Sequence, residues 1–402
     1  MNILLMTLHD VRDINGRGIY TDLLREFYKN NHNIFVISPI ERRNNKKTHI
    51  IENSNCRILK VRTGNIQKTN LIEKGIATIT LETRFIRAVK KYFSDVKFDL
   101  ILYSTPPVTL VKPIKYIKKR DCAKTYLLLK DIFPQNAVDI GILRKMGLKG
   151  LIYSFFRRKE KKLYAVSDKI GCMSPANVEY ILKNNPEISS ETVEVCPNSI
   201  EPCDISVSET ERIDIRKKYD LPLDKKIFVY GGNLGRPQGI PFIIKCLQKC
   251  RDIDTAFFLI VGSGTEYHKL EEFAGAENLP NVRLIKALPK DEYDRIAAAC
   301  DVGLIFLDYR FTIPNFPSRL LSYMQAKLPV LAATDPNTDI GEIIESGKFG
   351  WRCFSDNSDN FKELILNVCS DEISLFGEKA YQYMLENYTA KCGYEIIAKS
   401  IN

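Results

Sequence analysis

Short apolar runs recur along the chain, and most are followed by a turn signal and then by a stretch with helical periodicity. In the first half the runs fall at residues 2–8, 33–38, 57–61, 98–103, 125–129, 169–172 and 193–196. Helical patterns lie among them at 19–30, 79–93, up to about 119, 142–164 and 175–183. The second half repeats the scheme, with strands predicted at 227–230, 256–261, 282–285, 302–306 and 330–333. Strand, turn, helix, strand is the unit of a doubly wound α/β fold. The pattern weakens at 53–77, read as a long loop around one strand, and at 201–225, read as a linker with one helix. The predicted organisation is an N-terminal domain over 1–200, a second over 201–374, and a long final helix within 375–402 that packs back toward the first.

Chemistry concentrates where the predicted strands end. Residues 315–332 read NFPSRLLSYMQAKLPVLA. Asn315 and Ser318 suit helix caps, Pro317 suits a first turn, and Leu320, Leu321, Met324 and Leu328 follow at helical spacing before Pro329. Phe316 to Ser318 would then sit at a helix N-terminus, whose free N–H groups attract an anion, and Arg319 adds a planar fork of donors suited to phosphate. An ordinary α/β helix beginning Pro-Ser-Arg is the plain alternative. Glycines follow the neighbouring strands: Gly231 to Gly239 with Gly232, Asn233 and Arg236 in the turn, then Gly262 and Gly264, then the Ala287-Leu288-Pro289 stretch. All fall on one rim of one predicted sheet and outline a nucleotide-sized cleft. In the first half, Gly16-Arg17-Gly18 follows the first strand and Asp131 follows the strand at 125–129. Asp131 is placed for a site, with an N-cap or turn aspartate as the alternative.

Composition narrows the class. The 402 residues are 45% hydrophobic and 27% charged, ordinary for a globular chain of two domains, and no apolar run approaches the roughly 18–20 residues of a membrane span. The opening MNILLMTLHD reads as a first strand rather than a signal peptide. Eleven cysteines without a CxxC pair and only four histidines argue against a metal site or a disulfide scaffold, and fit a reducing cytosol. The net charge of +10 is uneven: residues 1–200 hold 35 Lys and Arg against 19 Asp and Glu, and residues 201–402 hold 24 against 30. The basic half contains 142–164, where Leu151, Phe155 and Phe156 alternate with Arg157, Arg158 and several lysines. Such a mixture suits a helix lying in an anionic bilayer interface, and a buried helix with a snorkelling basic rim is the alternative. Nothing in the chain has the pattern of a nucleic-acid-binding module.

Taken in order, GRG at 16–18, KDIFPQNAVDIG at 130–141, DKIGCMSPANVEYI at 168–181, VCPNSIEP at 195–202, FVYGGNLGRPQG at 228–239, IVGSGTE at 260–266 and FPSRLLSYMQAKLPVLA at 316–332 carry a resemblance. The chain resembles the retaining GT-B glycosyltransferases of family 4 over nearly its whole length, and within them the WbuB-like branch of bacterial surface-polysaccharide synthesis. The resemblance implies two Rossmann-like domains facing each other across a cleft, with a nucleotide-sugar, expected to be a UDP-sugar, held mainly by the second. It implies diphosphate contacts from Gly232, Asn233, Gly239, Arg236 and Arg319, and diphosphate and sugar contacts from Asn315, Phe316, Pro317 and Ser318. Gly262, Gly264 and Leu288 would lie near the base, and Ser322 near the ribose. Gly16, Arg17, Gly18 and Asp131 would line the first-domain side. Asp131, Arg236 and Arg319 are the expected catalytic residues. The acceptor would be a polyprenyl diphosphate-linked saccharide, reached from the cytoplasmic side of the membrane, with no metal and no other cofactor.

The chain departs from the resemblance at four positions. The family's two glutamates fall at Pro314 and Ser322, and its phosphate-turn arginine and lysine fall at Asn233 and Gln238. The departures at Pro314 and Ser322 motivate one competing reading, a catalytically silent GT-B scaffold protein. A related GT-B sugar-nucleotide epimerase, which normally relies on carboxylates and histidines around the cleft, is the other.

Overall fold

The computed structural model describes residues 1–66, 71–277 and 279–401. The chain forms two units, one of residues 1–201 with the stretch from 389 to the C-terminus, the other of residues 202–388. The first unit holds β1 (Asn2–Met6), β2 (Asn33–Glu41), β3 (His49–Asn53), β4 (Cys56–Thr63), β5 (Leu100–Ser104), β6 (Lys124–Leu129), β7 (Lys169–Cys172) and β8 (Val193–Val195). They form one sheet ordered β3-β4-β2-β1-β5-β6-β7-β8, parallel apart from the β3–β4 pair. The second unit holds β9 (Lys226–Asn233), β10 (Ala256–Ser263), β11 (Val282–Lys286), β12 (Val302–Phe306), β13 (Val330–Thr334) and β14 (Gly350–Phe354), ordered β11-β10-β9-β12-β13-β14 and wholly parallel.

Parallel strands are covered by helices on both faces, which is why they read as continuous apolar runs. Every residue of β5 and of β13 is buried. In the first unit Leu23, Leu24 and Phe27 of helix Ile19–Lys29 join Ile397 of helix Ala390–Ile401 over one sheet face. In the second, Phe228, Phe258 and Phe306 pack with Ile243 and Leu247 of helix Ile240–Lys249 and Phe361 and Ile365 of helix Ser358–Ser370. Chain order reverses beside β1, between β2 and β5, and beside β9, between β10 and β12. Ligands of such sheets gather at the carboxyl ends of the strands at these reversals.

The structure corrects four expectations. The region 53–77 is not a loop around one strand: β3 and β4 form an antiparallel pair, and helix Leu71–Tyr92 starts eight residues before its predicted position. Residues 67–70 lie outside the described ones. Strand β14 has no counterpart in the pattern, because Trp351 and Arg352 interrupt its apolar run. The helix expected from 315 to 328 is Arg319–Gln325. It stops because Lys327 adopts a left-handed φ of 54°, with Lys327 N–H donating to Met324 O at 3.0 Å and Leu328 N–H to Tyr323 O at 2.9 Å. Finally, the single helix expected over 375–401 is two. Ser374–Asn387 belongs to the second unit and packs on Arg319–Gln325, and Ala390–Ile401 belongs to the first. Thr389 makes the break, its Oγ1 accepting from Cys392 N–H at 3.2 Å, and Ala390 N–H donates to Ile200 O at 2.8 Å.

Helix Ser374–Asn387 touches the backbone of the segment after Arg319–Gln325 only because residue 377 is glycine. A Cβ there would lie 2.0 Å from Lys327 O. Gly377→Ala is expected to lower stability by about 1–3 kcal/mol, as overpacking does, measured as a lower urea midpoint. An unchanged midpoint would show that the contact is not needed.

Candidate active site

β9 and β12 are paired only at Val302 with Phe228 and at Gly303 with Val229, while β9 continues beside β10 as far as Asn233. The two strands therefore part beyond Val229 and leave a crevice between their carboxyl ends. The Tyr323 hydroxyl bridges it, accepting from Gly231 N–H at 3.2 Å and donating to Leu304 O at 3.0 Å. Glycines make room for the aromatic rings. A Cβ on Gly303 would lie 2.4 Å from the Tyr323 ring, and one on Gly231 would lie 1.9 Å from the Tyr293 hydroxyl. That Tyr293 hydroxyl is buried without a hydrogen-bond partner.

Arg319, one helical turn before Tyr323, lies over this crevice. Its guanidinium carbon is 4.2 Å from the Tyr230 ring centroid, and a Cβ on Gly232 would lie 3.5 Å from its Nη2. Gly232 has φ 126°, a conformation that L side chains rarely adopt. Arg319 Nη1 is buried with no hydrogen-bond partner, and among the described residues no carboxylate pairs with this guanidinium. The other arginines nearby differ. Arg310 makes a two-pronged pair with Asp308 at 2.8 and 2.7 Å, and Arg236 Nε lies 3.5 Å from Glu266 Oε1. Glu266 also accepts from Lys269 at 2.6 Å, and this bond holds its carboxyl below the usual range, with Arg236 adding to the effect. Arg236 is thus exposed and partly neutralised, whereas Arg319 keeps its full charge.

The remaining second-unit residues are placed as follows. Asn233 Nδ2 donates to Gln238 Oε1 at 2.9 Å, and Gly235 N–H donates to the same oxygen at 3.1 Å, so these two polar side chains lock the turn. Gly239 closes the turn with φ 62° and opens helix Ile240–Lys249. Gly262 and Gly264 serve backbone contact: a Cβ would lie 2.1 Å from Gly232 O on the first and 2.3 Å from Leu234 O on the second. Leu288 is half-buried in the segment leading to helix Lys290–Ala298, which carries Tyr293. Asn315 Nδ2 is buried without a partner, and its carbonyl accepts from Thr338 Oγ1 at 2.5 Å. Phe316 is buried with its ring 6.1 Å from that of Tyr388, Pro317 O accepts from Leu320 N–H, and Ser322 is half-buried. Ser318 holds the cap position in helical rather than extended geometry, so its hydroxyl makes no capping bond, contrary to the expected cap.

In the first unit the Gly16–Gly18 turn follows β1 and is braced from beneath. Arg25 Nη1 donates to Ile14 O at 2.5 Å and Gly16 O at 2.8 Å, while Nη2 pairs with buried Asp22 at 2.6 Å and with Glu201 at 2.8 Å. Gly18 N–H donates to Asp22 Oδ1 at 2.9 Å, and Arg17 is exposed. At the ends of β5 and β6, Thr105 Oγ1 accepts from the N–H groups of Lys130 and Asp131 at 3.1 and 3.2 Å. The Asp131 side chain makes no ion pair among the described residues, and burial pushes its carboxyl up to about 6. Burial pushes the neighbouring Lys130 ammonium down to about 8. Ser104 Oγ and Asn198 Oδ1 are buried without partners. Lys130, Tyr230, Tyr293 and the Arg25 brace were missed by sequence reasoning. Lys130 precedes Asp131 at a strand end and carried a usable signal, whereas the tyrosines read as core.

Helix Gly147–Val166 divides the expected membrane-facing residues. Met146, Leu148 and Leu151 are 84%, 84% and 70% exposed, and Phe155 and Arg158 are exposed too. Phe156 turns inward, its ring 5.0 Å from that of Phe133. Arg157 also turns inward, to Glu160 Oε2 at 2.5 Å and Asn185 Oδ1 at 2.7 Å, because buried Glu160 requires a counter-charge. No helix among the described residues is long and apolar enough to cross a membrane. Among the same residues, no group of three His, Cys, Asp or Glu side chains is gathered as a metal ligand set.

Comparison with known proteins bears on this geometry. Residues 211–390 match the family described as glycosyl transferases group 1. The matched stretch covers most of the second unit, residues 202–388. Over 336 residues the chain is 26% identical to the probable glycosyltransferase WbjE of Pseudomonas aeruginosa, covering 83% of this chain and 81% of that one. Among solved structures it is similar to sucrose-phosphate synthase of Thermosynechococcus elongatus, with a TM-score of 0.76, 15% identity, and 99% and 98% of the two chains covered. It is also similar to Anabaena HepE, solved with UDP-glucose, at a TM-score of 0.68, 13% identity and 99% coverage of both chains. The fold is GT-B, with a Rossmann-like sheet in each unit.

Asp131 gives a pH signature independent of any ligand. Its folded pKa of about 6 lies above the unfolded value of about 4. The native state therefore holds the extra proton between those values, and stability falls as pH rises from about 4 to about 6. Asp131→Asn should raise the melting temperature relative to wild type at pH 8 and leave it unchanged at pH 3.5. An equal effect at both values would mean that the carboxyl is not perturbed by burial.

Proposed function

We propose that this protein is a retaining glycosyltransferase of family 4 that transfers a sugar from a nucleotide-sugar, a UDP-sugar, to a lipid-linked saccharide acceptor in bacterial surface-polysaccharide synthesis. The observation that carries the proposal is Arg319, a cation without a carboxylate partner among the described residues, at the sheet reversal of the unit that matches the glycosyl transferases group 1 family. In such a transfer the bond from sugar C1 to the diphosphate oxygen breaks, and a bond from the acceptor oxygen to the same face of C1 forms. The leaving diphosphate takes the acceptor proton. Negative charge grows on the diphosphate in the transition state, and a fixed guanidinium stabilises it without reorganising. Arg319 fills that role here, with Arg236 as an outer, screened contribution. The proposal assigns the reaction no metal ion.

Names and titles of similar proteins support the reading. WcaI of Escherichia coli, 24% identical over 62% of this chain, is a putative colanic acid biosynthesis glycosyl transferase, and HepE was solved with UDP and with UDP-glucose. Ser322 offers a neutral hydroxyl toward the ribose, a weaker acceptor than a carboxylate. Ser104, Lys130 and Asp131 offer polar groups for the acceptor side of the first unit. The exposed apolar residues Met146, Leu148, Leu151 and Phe155, with Lys149 and Arg158, form a surface suited to the anionic inner face of the cell membrane.

Arg319→Ala is expected to lower the rate of sugar transfer by about 100-fold or more, the scale of losing one transition-state donor. Turnover near that of wild type would remove Arg319 from the mechanism, and loss of turnover in EDTA would refute the metal-free assignment. For the membrane, Leu148, Leu151, Phe155 and Arg158 are to be replaced together by serine, leaving the inward Phe156 and Arg157 intact. This variant should stay folded and fail to co-sediment with phosphatidylglycerol vesicles. Undiminished co-sedimentation would refute the docking surface.

A further inference from the structure

We infer that Tyr230 is a positioning residue: its buried ring holds the Arg319 guanidinium where a carboxylate would otherwise stand, and so keeps that charge free for a phosphate oxygen of the nucleotide donor. The inference rests on the donor reading above and adds how the site keeps its cation both fixed and unneutralised.

A guanidinium at a half-buried position needs a partner, because removing charge from water is costly unless something compensates. Arginines elsewhere in the second unit take carboxylates: Arg310 takes Asp308, Arg216 takes Asp301, and Arg352 takes Glu342 and Glu345. A carboxylate in that place would fix Arg319 equally well and would cancel the charge that a diphosphate needs. An aromatic face differs, because its quadrupole attracts a cation without contributing net charge. At 4.2 Å from the guanidinium carbon, the Tyr230 ring is well within cation–π range.

The ring is itself fixed. Tyr230 is fully buried, its hydroxyl donates to Asn233 O at 2.6 Å, and its ring lies 5.9 Å from that of Phe306. The sequence also explains how the guanidinium reaches it. Tyr230 and Gly232 project from the same face of β9, two residues apart, and the missing side chain at Gly232 leaves the space that Arg319 Nη2 borders. Tyr230, Gly232 and Arg319 thus form one device: a floor, a gap and a cation.

The test replaces Tyr230 by phenylalanine and then by mono-, di- and trifluorophenylalanine, which weaken the face of the ring with little change in size. Affinities for UDP, uridine and inorganic pyrophosphate are measured by titration on the full chain, and melting temperatures without ligand confirm that each variant is folded. Phenylalanine should hold UDP within about threefold of wild type. Successive fluorines should weaken UDP stepwise, to about tenfold for the trifluoro ring, and leave uridine unmoved. A merely structural role would weaken UDP and uridine together and would overturn the inference. So would UDP binding that is indifferent to fluorination, with the donor reading left standing. If wild type binds pyrophosphate and not UDP, the nucleotide reading falls and the same series is judged with pyrophosphate. Binding of neither would end both.

Discussion

The second unit is built around a guanidinium that no acid among the described residues answers. Arg319 lies where β9 and β12 part, over the Tyr230 ring and beside Gly232, with Nη1 buried and unbonded. Folding alone gains little from such an arrangement, since a paired arginine or an apolar side chain would satisfy the crevice better. Several features serve to make it possible. Tyr323 closes the floor by bonding both parted strands, Gly231 and Gly303 admit the rings of Tyr293 and Tyr323, and the Asn233–Gln238 bond stiffens the turn above. A site that holds uncompensated positive charge in fixed geometry is preorganised for an anion that gains charge during reaction.

The first unit makes a different contribution. Its turn after β1 is braced by the Arg25, Asp22 and Glu201 network, and its β5 and β6 ends carry polar groups that the fold leaves unpaired. Burial pushes the Asp131 carboxyl up to about 6 and the Lys130 ammonium down to about 8. The excess of basic residues in 1–200 and the exposed leucines of helix Gly147–Val166 give this half its own surface chemistry, different from that of the crevice between β9 and β12.

Much of this was legible in the sequence, for physical reasons. Parallel strands buried on both faces leave unbroken apolar runs, so β5, β6, β10, β12 and β13 stood out, and the glycines after β9 and β10 marked the rim where Arg319 emerges. What escaped notice depends on contacts distant in sequence. Strand β14 is interrupted by Trp351 and Arg352, and the helix break at Thr389 falls within one continuous periodicity. Arg157 read as an outward charge because its partner, Glu160, is buried only in the folded chain. Tyr230 and Tyr293 fit a hydrophobic core by type, and only the cation lying over one and the unbonded hydroxyl of the other set them apart. Asn233 and Gln238, where the resemblance expects an arginine and a lysine, bond to each other across the turn.

The most direct test of this account is calorimetric titration of the purified full chain with UDP, GDP and ADP in the absence of divalent metal. The account predicts one-to-one binding of UDP in preference to the other two, abolished in Arg319→Ala. Failure of all three nucleotides to bind, or UDP binding unaffected by the loss of Arg319, would contradict it.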